Sequence, residues 1–145
     1  MHDIAGFDLS EHDGILRPLR GHLQAAASKD VPLLLESFTS DGIFVGTDDT
    51  EYWSIGALAD TLAKSNGWRM SSIDLKIKKV GDHPGVAFFH ETLNHEDYGP
   101  MRGSGTLVKC PGGEWRIAQY ALSVSVPNAA LDSKEFLEFL ALPQG

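Results

Sequence analysis

The sequence predicts an α+β domain, with helices packed on one face of a strongly twisted antiparallel sheet and a short helix at the C-terminal end. Three observations carry this. Apolar residues recur at helical spacing up to about residue 64, whereas from residue 70 they alternate in steps of two. Helices grouped ahead of strands mean segregated layers, not an alternating α/β sheet. The 145 residues with 42% hydrophobic content suffice for one core and leave too little for two. No internal repeat, low-complexity tract or linker interrupts them, so residues 1–145 are expected to form a single domain.

The first helix begins near Leu16, where Leu19, Leu23, Ala26 and Ala27 line one face, and it ends near Lys29. Pro18 suits its first turn, because proline lacks the N–H that a helix interior needs. Asp30 is placed to cap a second helix, VPLLLESF, in which Val31, Leu34, Leu35 and Phe38 share a face. TSDG breaks that helix, and IFVGT is a short strand. Ser54 caps a third helix with Ile55, Leu58, Ala59 and Leu62 on its face, closed by Asn66 and Gly67.

Ile73, Leu75 and Ile77 then alternate with Asp74, Lys76 and Lys78 in a half-exposed strand. The turn GDHPG leads into VAFFHETLNHE, the turn DYGP into MRGSGTLVK, and the turn CPGGE into WRIAQYALSVSVP. Four long strands in this order form an antiparallel meander. Asp132 and Glu135 have the spacing of a capping box before FLEFLAL, which predicts a last helix over about 132–142.

Composition excludes several partners. With 20 acidic against 12 basic side chains the formal charge is -8, which repels phosphate backbones, and KIKK is the longest basic cluster, so nucleic acid is not an expected partner. Cys110 is the single cysteine and has no partner for an internal disulfide, which suits a reducing cytoplasm. MHDIAGFDLSEHDG has neither a basic leader nor an apolar signal core, and no stretch approaches the ~20 apolar residues of a membrane span. The expectation is a soluble, unprocessed, cytoplasmic protein with no membrane partner.

Val86 to Phe89 and Trp115 to Val126 carry apolar residues on both parities, so both sheet faces call for cover. A curled sheet leaves a hollow on its concave side, where the helices lie, and its outer face can meet a second copy. A ligand pocket and a homodimer through the outer sheet face are therefore expected, the ligand being a small apolar or aromatic molecule.

The strand VAFFHETL raises the sharpest question, because His90 and Glu91 sit inside an apolar run. Glu91 lies between Phe89 and Leu93 on one parity, and His90 between Phe88 and Thr92 on the other, so one of the two faces the cavity. Apolar flanks favour Glu91. An enclosed carboxylate either has a raised pKa and serves as acid or base, or is paired with a cation. Arg102, opening the next strand, is the available cation, and a structural Glu91–Arg102 pair weighs as much as catalysis. Should Glu91 prove to lie outside, His90 inherits the acid–base candidacy.

Other motifs carry less. His90, Glu91 and His95 form H-E-x-x-x-H, one residue longer than the zinc motif and on a strand, so no metal is expected. GPMRGSG precedes a strand and lacks the lysine of a phosphate loop. Ser104 sits in G-S-G and not in a nucleophile elbow, and Cys110 precedes a turn proline with no base beside it. Trp53, Trp68, Trp115 and Tyr120 can wall a pocket, although large aromatics in a small domain more often fill core. Trp53 is the best placed, where the first strand meets the third helix.

HLQAAASKDVPLLLESFTSDGIFVGTDDTEYW, RGSGTLVK and WRIAQYALSVSVPN resemble the SnoaL-like branch of the nuclear transport factor 2-like superfamily, over roughly residues 16–128. The resemblance implies a cone-shaped α+β fold with a ligand cavity, dimeric through its outer sheet face. It implies no single reaction, because this fold hosts catalysts and plain binders alike. Ketosteroid isomerases of this superfamily place a tyrosine on the first helix, where this chain has His22, and a carboxylate base just after the strand matching GIFVG. Here Gly46 and Thr47 stand at that place, with Asp48 and Asp49 following, and GTLVK offers no counterpart to a second, protonated aspartate. The histidine-lined last strand of many SnoaL-like sequences is replaced by Gln119 and Tyr120.

The resulting expectation is a small-molecule-binding domain without a cofactor. Its pocket would be built from His22, Trp53, Trp68, Phe89, Gln119 and Tyr120. The alternative is a cofactor-free isomerase, lyase or hydrolase that uses Glu91 as acid or base with Arg102 as its partner.

Overall fold

A computed structural model describes residues 2–145. Its strands are β1 (His2–Ala5), β2 (Phe38–Val45), β3 (Tyr52–Ser54), β4 (Met70–Val80), β5 (His83–His95), β6 (Gly99–Lys109) and β7 (Trp115–Val124). Its α-helices are α1 (His12–Ser28), α2 (Val31–Ser37), α3 (Ile55–Lys64) and α4 (Lys134–Leu140). The strands form one sheet in the order β1-β4-β5-β6-β7-β2-β3, curved and unclosed. The four long strands follow one another as the expected antiparallel meander. The sheet is mixed at its flanks, where β1 pairs with β4 and β2 with β7 in parallel. Such non-local pairings leave no mark on local periodicity.

The caps explain where the helices start. Asp30 accepts the Leu33 N–H at 3.1 Å to open α2, and Ser54 accepts that of Ala57 at 3.2 Å to open α3. Ser133, and not Asp132, caps α4 by accepting the Phe136 N–H at 3.3 Å. Helix α1 starts four residues ahead of Leu16, so Pro18 lies in its interior, buried against the core. In α2 Leu34 is buried while Leu35 points outward, 45% exposed. Helix α2 ends at Ser37, ahead of TSDG, and Phe38 opens β2 where a helix face was expected; TSDG is a bulge inside that strand, since Phe38 pairs with Ile117 and Ile43 with Gln119, which leaves residues 39–42 out of register. GDHPG shortens to a turn at residues 81–82, because β5 already begins at His83.

The helices cover the sheet face on which Leu75, Ile77, Ala87, Phe89, Leu107, Ile117 and Tyr120 join Ile15, Leu19, Leu58 and Leu62 in the core. Two further bulges decide which residues reach it. Between Ser72 and Asp74 the β4–β5 register shifts, and Ile73 leaves the face that its spacing assigned to it and stands 59% exposed. Between β6 and β7, Thr106 pairs with Gln119 but Leu107 with Ile117, so Ala118 is the extra residue. Trp115 and Ile117 before the bulge and Tyr120 and Leu122 after it therefore face the same side, although their sequence parity differs. The two-sided apolar pattern of β7 is one inward face seen through a register shift. On the outer face the exposed large apolar side chain of the central strands is Phe88.

Candidate functional site

A cavity of about 540 Å³ opens between α1 and the far ends of the strands. Its floor is His22 and Ala26 of α1, and Phe44 and Trp53 form one wall from paired positions on β2 and β3. Met70, Met101, Leu122 and Val124 form the opposite wall, and Trp68 closes one side. Gly67 sets Trp68: at φ +82° a Cβ there would sit 2.9 Å from the Ala26 carbonyl oxygen, so only glycine lets the chain approach α1 and donate the Trp68 N–H to that oxygen at 2.8 Å. The rim is polar, with Thr47, Glu51, His95 and Tyr98. His95 Nδ1 accepts the Asp97 and Tyr98 N–H groups at 3.0 and 3.2 Å, which leaves its proton on Nε2 as a donor.

A larger depression, about 700 Å³, lies outside the helices between α1, α2 and the start of β7. Arg17, Arg20 and Arg116 line it against Asp13, Glu36 and Glu114, so its charges cancel. Of the candidate side chains it takes in Trp115 alone, and the smaller cavity is the site that the chemistry singles out.

His22 is the unusual group of that cavity. Its ring is 2% exposed and neither nitrogen has a hydrogen-bond partner among the described residues. Phe38 meets it edge-on at 5.3 Å, and Tyr120 and Phe44 flank it at 4.5 and 6.0 Å between ring centroids. Removal from water disfavours the imidazolium, so burial pushes the pKa down from 6.5 to about 4 and the ring is neutral at physiological pH. Leaving a buried donor or acceptor unpaired costs about 1–3 kcal/mol.

Behind these rings lies the carboxylate of the strand VAFFHETL. Glu91 points inward, 1% exposed, as its apolar flanks predict, whereas His90 is on the outer face. Its partner is Tyr120, whose hydroxyl donates to Glu91 Oε2 at 2.6 Å. Arg102 is not that partner: it pairs in register with Thr92, on the exposed face of β6. Gly103, opposite Glu91, makes the Tyr120 contact possible, because a Cβ there would collide with the Tyr120 hydroxyl. Burial raises the Glu91 pKa, against the opposing hydrogen bonds from Tyr120 and Ser72. The Tyr120 pKa is also raised, by burial first and then by the Glu91 charge, so the phenol keeps its proton and remains the donor. His90 titrates below its ordinary value, through partial burial and then the charges of Arg102 and Lys76.

Of the expected pocket residues, His22, Trp53 and Trp68 line the cavity. Phe89 and Tyr120 are core side chains next to it, their ring centroids 5.4 Å apart and their planes tilted by 38°, and do not form its wall. Gln119 faces outward, exposed, because the Ala118 bulge turns Tyr120 inward in its place. Glu51 is a rim residue that the sequence did not single out, and His95, weighed there only within H-E-x-x-x-H, is another rim residue. Glu51 sits in a turn where no periodicity assigns a face, and its Oε1 accepts the Asp48 N–H at 2.9 Å.

The SnoaL-like domain family matches residues 16–127, most of the chain. This chain belongs to the SnoaL-like domain family. A comparison with curated proteins returns no match. Among solved structures the SnoaL-like domain is similar to a protein with a cystatin-like fold from Caulobacter vibrioides, with a TM-score of 0.69 at 16% identity over 88% of this chain and 99% of that one. A ketosteroid isomerase-like protein from Erwinia carotovora atroseptica gives a TM-score of 0.61 at 22% identity over 83% and 100% of the two chains. An NTF2-like protein of unknown function from Shewanella baltica gives 0.66 at 16% over 84% and 99%. At these identities the likeness concerns the fold. Within this SnoaL-like domain the carboxylate on the cavity rim comes from Glu51, at the foot of β3, and not from the positions directly after β2.

Proposed function

We propose that this SnoaL-like domain binds a small apolar or aromatic molecule in the cavity between α1 and the sheet. One observation carries the reading: apolar walls enclose about 540 Å³ and end on a buried, unpartnered His22. That volume lies within the range of about 300–1,000 Å³ typical of small-molecule sites, and few polar groups among many apolar ones is the usual make-up of such a site. Acid–base catalysis through Glu91 has less support, since its carboxylate is held by Tyr120 and lies off the cavity wall. His22, protonated only near pH 4, is a weak base at neutral pH. Naphthalene is a suitable first probe. It should quench the emission of Trp53 and Trp68 and raise the melting temperature, and Leu122→Trp, which fills the cavity, should abolish both effects. Unchanged emission and melting temperature at saturating naphthalene would overturn the reading.

The same proposal includes a homodimer through the outer sheet face, supported by Phe88, which is 54% exposed in the middle of that face. It also includes a cytoplasmic location, in keeping with Cys110 as a single free thiol. No helix among the described residues is long and apolar enough to cross a membrane.

A further inference from the structure

We infer that the cavity selects a neutral ring compound carrying one hydroxyl group, which hydrogen-bonds to the His22 imidazole. The inference rests on the cavity being a binding site and adds the chemistry of its ligand. A neutral imidazole presents one N–H donor and one lone-pair acceptor, and in His22 both are buried without a partner. Its ring is boxed in by Phe38, Phe44 and Tyr120, and the Tyr120 hydroxyl is already committed to Glu91. His22 lines the cavity, so the cavity is the side from which a partner can come.

A hydroxyl both donates and accepts, so it satisfies either nitrogen, whereas a carbonyl serves only the N–H. Charge narrows the class further. Among the described residues no lysine or arginine lines the cavity, the rim carries Glu51, and the whole chain is at -8, so a carboxylate or an oxyanion finds no lysine or arginine counter-ion there. The walls fix the rest of the ligand. Trp53, Trp68 and Phe44 offer flat faces, and Met70 and Met101 are flexible fillers that adapt to a ring's outline.

The test compares naphthalene, 2-naphthol and 2-naphthoate, titrated against the full chain at neutral pH with tryptophan emission as the readout. The naphthol is expected to bind about tenfold more tightly than naphthalene, the effect of one neutral hydrogen bond to a group otherwise buried without a partner. The naphthoate should bind more weakly than naphthalene. In His22→Phe, which keeps the ring and removes both nitrogens, the naphthol should bind within about twofold of naphthalene. A second measurement on the native chain needs no variant: the His22 ring-nitrogen NMR shifts should move with 2-naphthol and stay with naphthalene. Naphthalene binding as tightly as the naphthol, a preference that survives in His22→Phe, or unmoved ring nitrogens would overturn the inference while leaving the binding site itself intact. If none of the three binds, the site and the inference fall together.

Discussion

His22 and Glu91 are buried ionisable groups that respond to pH in opposite directions, and this separates them experimentally. The His22 pKa is depressed from 6.5 to about 4, so the folded chain binds that proton less readily than the unfolded chain. Its contribution to stability is whole above about pH 6.5 and is lost as the pH falls through about 4; at about 1.4 kcal/mol per pKa unit the loss is roughly 3 kcal/mol. Glu91 has a raised pKa, so its contribution is whole below the ordinary value of 4.5 and is lost as the pH rises through the folded-state value. Thermal melts across this range should show His22→Phe gaining on the native chain as the pH falls below 6.5. Glu91→Gln keeps an acceptor for the Tyr120 hydroxyl and should gain on the native chain as the pH rises above 4.5. Differences that do not change with pH would contradict either assignment. The inward aim of Glu91 was legible in its sequence, because Phe89 and Leu93 sit at the next-but-one positions. Its partner was not, since Tyr120 reaches it across β6 from a strand 29 residues away.

At the level of strands, local patterns were read correctly wherever a strand keeps register and misread wherever it does not. In β5 the alternation from Ala87 to His95 separates buried residues from exposed or half-buried ones without a break. In β7 the single extra residue Ala118 flips the parity, so the strand looked two-sided, and Gln119, which the family resemblance suggested for the pocket, turns outward. A bulge has no compositional mark, and only the ladder shows it. The glycines of RGSG have a similar hidden cause, because Gly103 is required by a side chain from the neighbouring strand and not by a turn of its own. Gly103→Ala should cost about 1–3 kcal/mol in urea unfolding, as its Cβ displaces the Tyr120 hydroxyl from Glu91. In a Tyr120→Phe background part of that cost should vanish, giving a coupling of at least about 0.5 kcal/mol in a double-mutant cycle. Strictly additive costs would show that the glycine is there for another reason.

Across the whole molecule, charge is unevenly spread. The chain carries -8, yet around Phe88 the outer sheet face presents Lys76, Lys78 and Arg102 against the carboxylates of Asp74 and, on β1 beside Lys76, Asp3. A twofold dimer through this face would bring like charges together while covering Phe88 twice, and both chains also repel at long range through their net charge. Apolar burial and electrostatics then oppose each other, and salt shifts the balance: at about 0.15 M the screening length is about 8 Å, and it shortens further with added salt. Light scattering over a dilution series should therefore report twice the 15.8 kDa chain mass, with the dimer tightening as sodium chloride is raised. Phe88→Arg removes the apolar contact and adds a cation to a basic face, so it should give a monomer at every salt concentration with the fold retained by circular dichroism. A native chain that stays monomeric at high salt and micromolar concentration, or a Phe88→Arg variant that still dimerises, would place any self-association on another surface.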